Sequence, residues 1–303
     1  MKIGIDIGGS HIATGLVDKN GNLISKESRD INISNISDEK RVEDLILEII
    51  ENEITILLEK EDLNVGDISK IGIAVPGSPK GNCIRNLVNL HIKEFDLGTK
   101  LKEKYKVNVK IKNDGKCAGL AEKLYGSLRK YDDCVFLCIG TGVGSAVFLE
   151  GELLEPEQNP GFEFGHMVID KEGRKCNCGK NGCFETYASM KRFKLEAISR
   201  LKMSENTVAE EVQKYIRENI NKKDVREFVD EYLTNVSIGL ANIINIFEPE
   251  AISFGGSFSY YCDIFLPILQ EKIEKLKFNK DTKTDLITAK LRNDAGIIGA
   301  TEI

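Results

Sequence analysis

Short apolar runs broken by glycine turns alternate along this chain with longer stretches of helical periodicity. Residues 2–7 are apolar apart from their end, and 12–17 follow a glycine-rich turn. Asn20-Gly21 marks a hairpin before 23–28, so the first 28 residues predict three short strands. Residues 42–58 place apolar side chains at helical spacing among acids, the pattern of an amphipathic helix. A buried strand over 70–75 ends at Pro76-Gly77, and 97–105 is helical. Residues 107–111 alternate as a strand that delivers Asn113-Asp114, and a helix follows over 115–125.

The same order returns near Asp133. An apolar strand over 134–139 leads into Gly140-Thr141-Gly142-Val143-Gly144, then a strand over 145–149, a turn at Glu150-Gly151 and a strand over 152–154. The repeat is one of pattern rather than residue identity and predicts a duplicated architecture. Residues 155–182 are loop-rich; helices are expected at 184–201, 205–218 and 223–247. A strand over 251–254 meets Gly255-Gly256, followed by a helix through Lys277, a strand near 285–290 and a last helix from Asp294. There is no Pro- or Ser-rich linker, so the boundary between halves rests on the repeat, between 115 and 133.

Composition narrows the function classes. With 303 residues, 41% hydrophobic and 30% charged, the chain reads as a soluble globular protein of one large or two ordinary domains. A net charge of -6 argues against a general nucleic-acid binder. No apolar run approaches the ~20 residues that span a bilayer, so no membrane role is expected. The first residues become strand-like at once and lack the features of a signal peptide, so the expected location is cytoplasmic.

That location leaves eight cysteines to be explained without disulfides. Cys83, Cys117, Cys134, Cys138 and Cys262 are scattered and read as small buried hydrophobes. Cys176-x-Cys178-x4-Cys183 is clustered, with His166 ten residues upstream of Cys176 in Glu163-Phe164-Gly165-His166. Three thiolates and an imidazole complete a closed tetrahedral zinc shell, which is structural rather than catalytic. Free thiols or a redox switch are the alternatives. Glu163 and Glu185 flank the motif, so a metal there would fix two carboxylates and an imidazole relative to one another.

Three glycine turns follow strands. Asp6-Ile7-Gly8-Gly9-Ser10 offers backbone N–H groups to phosphate oxygens, with Asp6 placed to hold Mg2+ directly or through water; its plainer reading is a hairpin. The turn at 140–144 lacks the terminal Lys-Ser/Thr of a P-loop, and a strand rather than a helix follows it. Two such turns from two similar halves can grip a phosphate chain. Gly255-Gly256-Ser257 is suited to an adenosine or is a helix-start turn. Asp114 either caps the following helix or accepts a proton from a substrate hydroxyl.

Taken together, Asp6-x-Gly8-Gly9-Ser10, Pro76-Gly77, Asn113-Asp114, Gly140-Thr141-Gly142-Val143-Gly144, Glu163-Phe164-Gly165-His166 and Cys176-x-Cys178-Gly179-x2-Gly182-Cys183-x-Glu185 resemble the ROK family of repressors, open reading frames and sugar kinases. The resemblance covers essentially the whole chain, and the cysteine motif with its upstream Glu-x-Gly-His is its most specific part. It implies an α/β protein with the duplicated actin-like ATPase (ribonuclease H-like) fold, two α/β domains around a cleft. These would be residues 1–115, joined by a last helix over 294–303, and 116–293. It implies ATP-dependent phosphorylation of a hexose, usually at the 6-hydroxyl, of the glucokinase or N-acetylmannosamine kinase type.

By position, the resemblance makes Asp114 the catalytic base. Gly77, Ser78, Asn113, Asp114, Glu163, His166 and Glu185 would bind the sugar. Asp6, Gly8, Gly9, Ser10, Thr141 and Gly142 would handle Mg2+ and the phosphates of ATP, and Gly255 and Gly256 the adenosine. His166, Cys176, Cys178 and Cys183 would hold structural Zn2+, His166 turning its second nitrogen to the sugar. A homodimer or homotetramer is implied as well.

The chain departs from the family pattern in places. Ser10-His11 replaces a frequent Thr-Lys, and His11 is reminiscent of the allose-kinase branch. Phe162 stands where many members have glycine, and Asn89-Leu90-His91 replaces a segment bearing tryptophan in glucokinases. Glucose is the first choice of substrate and N-acetylmannosamine the second, then allose, N-acetylglucosamine and fructose. The competing readings are a transcriptional repressor, a catalytically silent sugar sensor and a zinc-scaffolded interaction module. The first is disfavoured because the Asp6 turn leaves no room before it for a DNA-binding module. The sensor is disfavoured by the presence of Asp6, Asn113 and Asp114, and the module by the paired glycine turns.

Overall fold

Ile3, Ile5 and Ile7 are all but fully buried, while the alternate position Gly4 faces the opposite side of its strand. That two-faced pattern organises the first of two compact units in a computed structural model, which describes residues 1–33, 36, 38–87, 90–156 and 161–303. Asn89 therefore lies outside the described residues.

The first unit comprises Met1–Gly126, Glu155–Pro160 and Asn293–Ile303. Strands β1 (Lys2–Ile7), β2 (His11–Val17), β3 (Leu23–Asp30) and β4 (Lys70–Val75) are followed by a hairpin, β5 (Ile84–Leu87) with β6 (Ile92–Phe95), and by β7 (Asn108–Asn113). The five-stranded sheet runs β3-β2-β1-β4-β7, with β1 antiparallel to β2 and parallel to β4, and β4 parallel to β7. One face carries α1 (Glu39–Lys60) and α2 (Leu97–Tyr105), whose apolar stripes join the isoleucines of β1 and β4 in one core. On the other face the last helix, Ala295–Ala300, lies on the backbone itself. A Cβ on Gly72 would come within 1.6 Å of the Ala300 carbonyl oxygen, so only glycine permits the approach. Helix α3 (Asp114–Leu124) packs against this last helix, and the first unit therefore extends through Gly126.

The α1 face holds one acid out of place. Glu53 is 1% exposed; its Oε2 accepts from Thr14 Oγ1 at 2.6 Å, and Oε1 has no partner among the described residues. Burial pushes this carboxyl from 4.5 up to about 6. The folded chain thus favours the protonated form: stability is full below the unfolded value and falls as pH rises through about 6. Glu53→Gln removes that loss. It is expected to be more stable than the parent by about 1–2 kcal/mol near pH ~8 and equal to it near pH ~4, as read by urea unfolding. A variant less stable than the parent at the higher pH contradicts this.

The second unit comprises Ser127–Leu154 and Gly161–Arg292. Its strands are β8 (Cys134–Ile139), β9 (Val143–Leu149), β10 (Glu152–Leu153), β11 (Ala251–Gly255) and β12 (Asp285–Thr288), ordered β10-β9-β8-β11-β12. Here too a central strand is antiparallel to the next strand in sequence and parallel to a later one, with a further parallel strand at the edge. The duplication is thus one of topology. Helices α4 (Glu185–Ala188), α5 (Met190–Arg200), α6 (Ala209–Asn219), α7 (Lys223–Phe247) and α8 (Cys262–Leu276) supply the rest of the core. Along α7, Val225, Val229, Tyr232, Val236, Leu240 and Ile244 form a buried stripe at helical spacing.

The single helix expected over 184–201 is two. Ser189 is extended, and the N–H groups of Met190 and Lys191 donate to the Gly140 carbonyl at 2.8 and 3.3 Å, which starts α5 afresh. The sixth helix begins at Ala209, and the hairpin β5–β6 had no counterpart in the periodicity.

Candidate functional site

The parallel strands of the first unit deliver their carboxyl ends together, the place where open α/β sheets bind ligands. Registers Asp6↔Ala74 and Val75↔Asn113 bring Asp6, the Pro76-Gly77-Ser78 turn and Asn113-Asp114 to one edge. Gly77 turns there at φ +86°, and Ser78 beside it is exposed.

Asn113, rather than Asp114, caps α3. Its Oδ1 accepts from the Lys116 N–H at 3.2 Å, and its Nδ2 donates to the Gly77 carbonyl at 3.1 Å. Asp114 is thereby set in the first helical turn, with Oδ1 accepting from the Gly115 N–H at 2.7 Å. Burial, with the Asp114 charge second, raises the Asp6 carboxyl from 3.8 to about 7. The Asp6 carboxylate, with the Asp114 charge in its neighbourhood, offers oxygen donors suited to a hard divalent cation. The residues fit Mg2+ on that ground. Between β1 and β2, the Gly8 N–H donates to the His11 carbonyl at 2.8 Å, while Gly9 and Ser10 are exposed at the turn.

In the second unit β8 and β11 are parallel neighbours, Cys138 opposite Gly255, so the turn at 140–144 and Gly255-Gly256 leave the same sheet edge. Thr141 is exposed at that turn. Gly256 takes φ +66°, and a Cβ there would meet the Ile139 carbonyl oxygen at 2.6 Å.

The cysteine motif closes beside this edge. The ligand atoms of His166, Cys176, Cys178 and Cys183 all lie within 4.8 Å of one another. His166 Nδ1 is 3.7 Å from Cys176 Sγ, and Cys178 Sγ is 3.6 Å from Cys183 Sγ. A tetrahedron with metal–ligand bonds of ~2.1–2.3 Å has edges of about 3.4–3.8 Å, so the donors fit zinc. Nδ1 is the nitrogen on the cluster, which leaves Nε2 for another partner. Burial and the adjacent Cys178 and Cys176 thiols push the Cys183 thiol up to about 12, whereas Cys178, exposed and receiving the Lys180 N–H, is lowered. The loop is fastened by main-chain bonds, Gly182 N–H to Arg174 at 2.7 Å and Phe184 N–H to Met167 at 2.8 Å. The Arg174 guanidinium stacks over the Tyr187 ring at 4.5 Å. Of the scattered cysteines, Cys117, Cys134 and Cys262 are buried; Cys83 and Cys138 are half-buried.

Glu163 is exposed, and its carbonyl accepts the His166 N–H at 2.9 Å. Phe162 before it takes φ +53°, a left-handed conformation unusual for an aromatic residue. Its carbonyl accepts from Ser145 Oγ and from the Phe164 N–H, and its ring meets Phe247 edge-on at 5.9 Å. Glu185 Oε2 accepts the Val143 N–H at 3.0 Å, a contact with the glycine turn that no sequence motif announced.

Two units with matching topology, each carrying glycine turns and polar side chains at the carboxyl edge of its sheet, define the duplicated actin-like ATPase fold, of the ribonuclease H-like type. The chain belongs to the ROK family, whose model ("ROK family") matches residues 2–303. It is 28% identical over 319 residues to a glucokinase of Thermotoga maritima, covering 99% of this chain and 96% of the relative. It is 27% identical over 304 residues to the xylose repressor of Bacillus subtilis, covering 99% of this chain and 76% of that protein. A ROK family glucokinase from Streptomyces griseus, solved with glucose and AMPPNP, superposes with a TM-score of 0.80 at 23% identity, over 99% of this chain and 98% of the other. Among the described residues, no helix is long and apolar enough to cross a membrane.

Proposed function

We propose that this protein is an ATP-dependent hexose kinase that phosphorylates a sugar hydroxyl, with the 6-hydroxyl of glucose as the first candidate. The observation that carries the reading is the pair Asp6 and Asp114, with Asn113 taking the capping role that would otherwise occupy Asp114. Phosphoryl transfer asks the protein mainly for positioning and charge stabilisation, with a carboxylate to take the hydroxyl proton. Asp114 takes that proton in this reading. Asn113, Gly77, Ser78, Glu163, Glu185 and the Nε2 edge of His166 bind the sugar. The turns at Gly8-Gly9-Ser10 and Thr141-Gly142 donate N–H groups to the phosphates, and Gly255-Gly256 admit the adenosine. Asp6 would hold Mg2+, which supplies charge neutralisation on the phosphate oxygens. His166, Cys176, Cys178 and Cys183 would hold zinc, whose contribution is rigidity rather than chemistry.

The similarity to xylose repressors supports a second reading, a sugar sensor without turnover. The two part in a coupled ATP-consumption assay with Mg2+ against glucose, N-acetylmannosamine, allose, N-acetylglucosamine and fructose. A saturable, sugar-dependent rate is expected, highest with glucose. Sugar binding without any sugar-dependent ATP consumption at millimolar sugar favours the sensor and overturns the kinase.

A further inference from the structure

We infer that Glu185 is a positioning residue for the phosphate-binding turn, and that the metal-held loops thereby set nucleotide affinity before any sugar arrives. This rests on the kinase reading above and adds to Glu185 a task distinct from sugar binding. The Val143 N–H donates to Glu185 Oε2 at 3.0 Å. The same oxygen lies against Gly142, where a Cβ would stand only 2.4 Å from it. On the other side of the same residue, a Cβ on Gly165 would come within 2.6 Å of the Val143 carbonyl oxygen. The backbone of Val143 is thus hydrogen-bonded to Glu185 at its N–H, and its C=O packs closely against Gly165. Glu185 lies two residues after Cys183, and Gly165 immediately precedes His166. The two arms that hold the turn are therefore the two arms joined by the metal ligands.

The far end of the turn is fixed separately, by the bonds from Met190 and Lys191 to the Gly140 carbonyl. Within the turn the Gly140 N–H donates to the Gly142 carbonyl at 2.9 Å, and Glu185 adds a side-chain bond at Val143, on the side toward Thr141 and Gly142. Removing the acceptor leaves the N–H of the buried Val143 without this bond, so the contact is part of what orders the turn. A sugar hydroxyl engaging Glu185 acts on the same carboxylate, and linkage requires that nucleotide and sugar then influence each other's affinity equally.

The test is calorimetric binding of Mg2+–AMPPNP to the zinc-loaded chain without sugar, for the parent and for Glu185→Ala, Glu185→Asp and Glu185→Gln. Glutamine keeps an acceptor at the same reach; aspartate keeps the charge but falls one methylene short. AMPPNP affinity is expected to fall about tenfold or more in the Ala and Asp variants and to stay within about threefold of the parent in the Gln variant. Sugar affinity falls in all three. Should Ala fail to fold, Asp carries the comparison. Equal AMPPNP affinity in the parent, Asp and Ala proteins, or equal loss in Gln and Asp, overturns the inference and leaves the kinase reading standing. A parent protein that binds no AMPPNP overturns both.

Discussion

Replacing Asp114 by asparagine is expected to lower kcat by about 10²–10⁴-fold while sugar affinity stays within a few-fold of the parent. Asparagine at 114 keeps an oxygen for the Gly115 N–H, which Asp114 Oδ1 accepts at 2.7 Å, so the start of α3 is preserved. The Asn113 cap is untouched, and with it the bond to Gly77. What disappears is the group able to take a proton. The variant also removes one of two carboxylates that repel each other, since the Asp114 charge contributes to raising Asp6 toward 7. It is therefore expected to melt no lower than the parent, which separates lost chemistry from lost structure. Steady-state rates and calorimetric sugar binding check the pair of results. Retained turnover would remove Asp114 from the base role.

The second large effect is expected from the metal motif. The freshly purified, reduced chain is expected to carry about one zinc by elemental analysis. Cys183→Ser, at a position 0% exposed, should lose the metal and more than about 4 kcal/mol of stability, the range reached when a structural metal site is destroyed. Cys178→Ser, at an exposed position, should cost less. Sugar affinity should fall with the zinc content in both, because a metal held by this cluster would fix His166 relative to Cys183 and hence to Glu185. Chelation of the parent should reproduce that loss. A zinc-free protein with the same melting temperature and sugar affinity would contradict this account of the loops.

Much of this was legible in the residues because local rules and tertiary outcome agree. Ile3, Ile5 and Ile7 alternate with Gly4, and their strand has one packed face and one face against which a helix lies directly on the backbone. The Cys-x-Cys-x4-Cys spacing with an upstream histidine led to four donor atoms that all lie within 4.8 Å of one another. What escaped the sequence is either too short to show a period or depends on partners far along the chain. The hairpin at Ile84–Leu87 and Ile92–Phe95 has four-residue strands, too short for a period to declare itself. The break at Ser189 is made by a carbonyl 49 positions away, that of Gly140, capturing the N–H of Met190. Asp114 could be read as a cap or a base, and the hydrogen bonds of Asn113 give the cap to Asn113. The Glu185–Val143 contact lies 42 residues apart in sequence and joins two motifs whose spacing says nothing of their proximity.

The central claim is that a phosphoryl group moves from ATP to a sugar hydroxyl with Asp114 as the base. Phosphorus NMR of the wild-type chain with ATP, Mg2+ and glucose tests it most directly, with Asp114→Asn run beside it. The account predicts that the γ-phosphate signal is replaced by that of a glucose phosphate ester, coupled to two protons as a 6-phosphate must be, and that the variant forms almost none. ADP and inorganic phosphate without ester from any hexose offered, or equal ester from the variant, would contradict it.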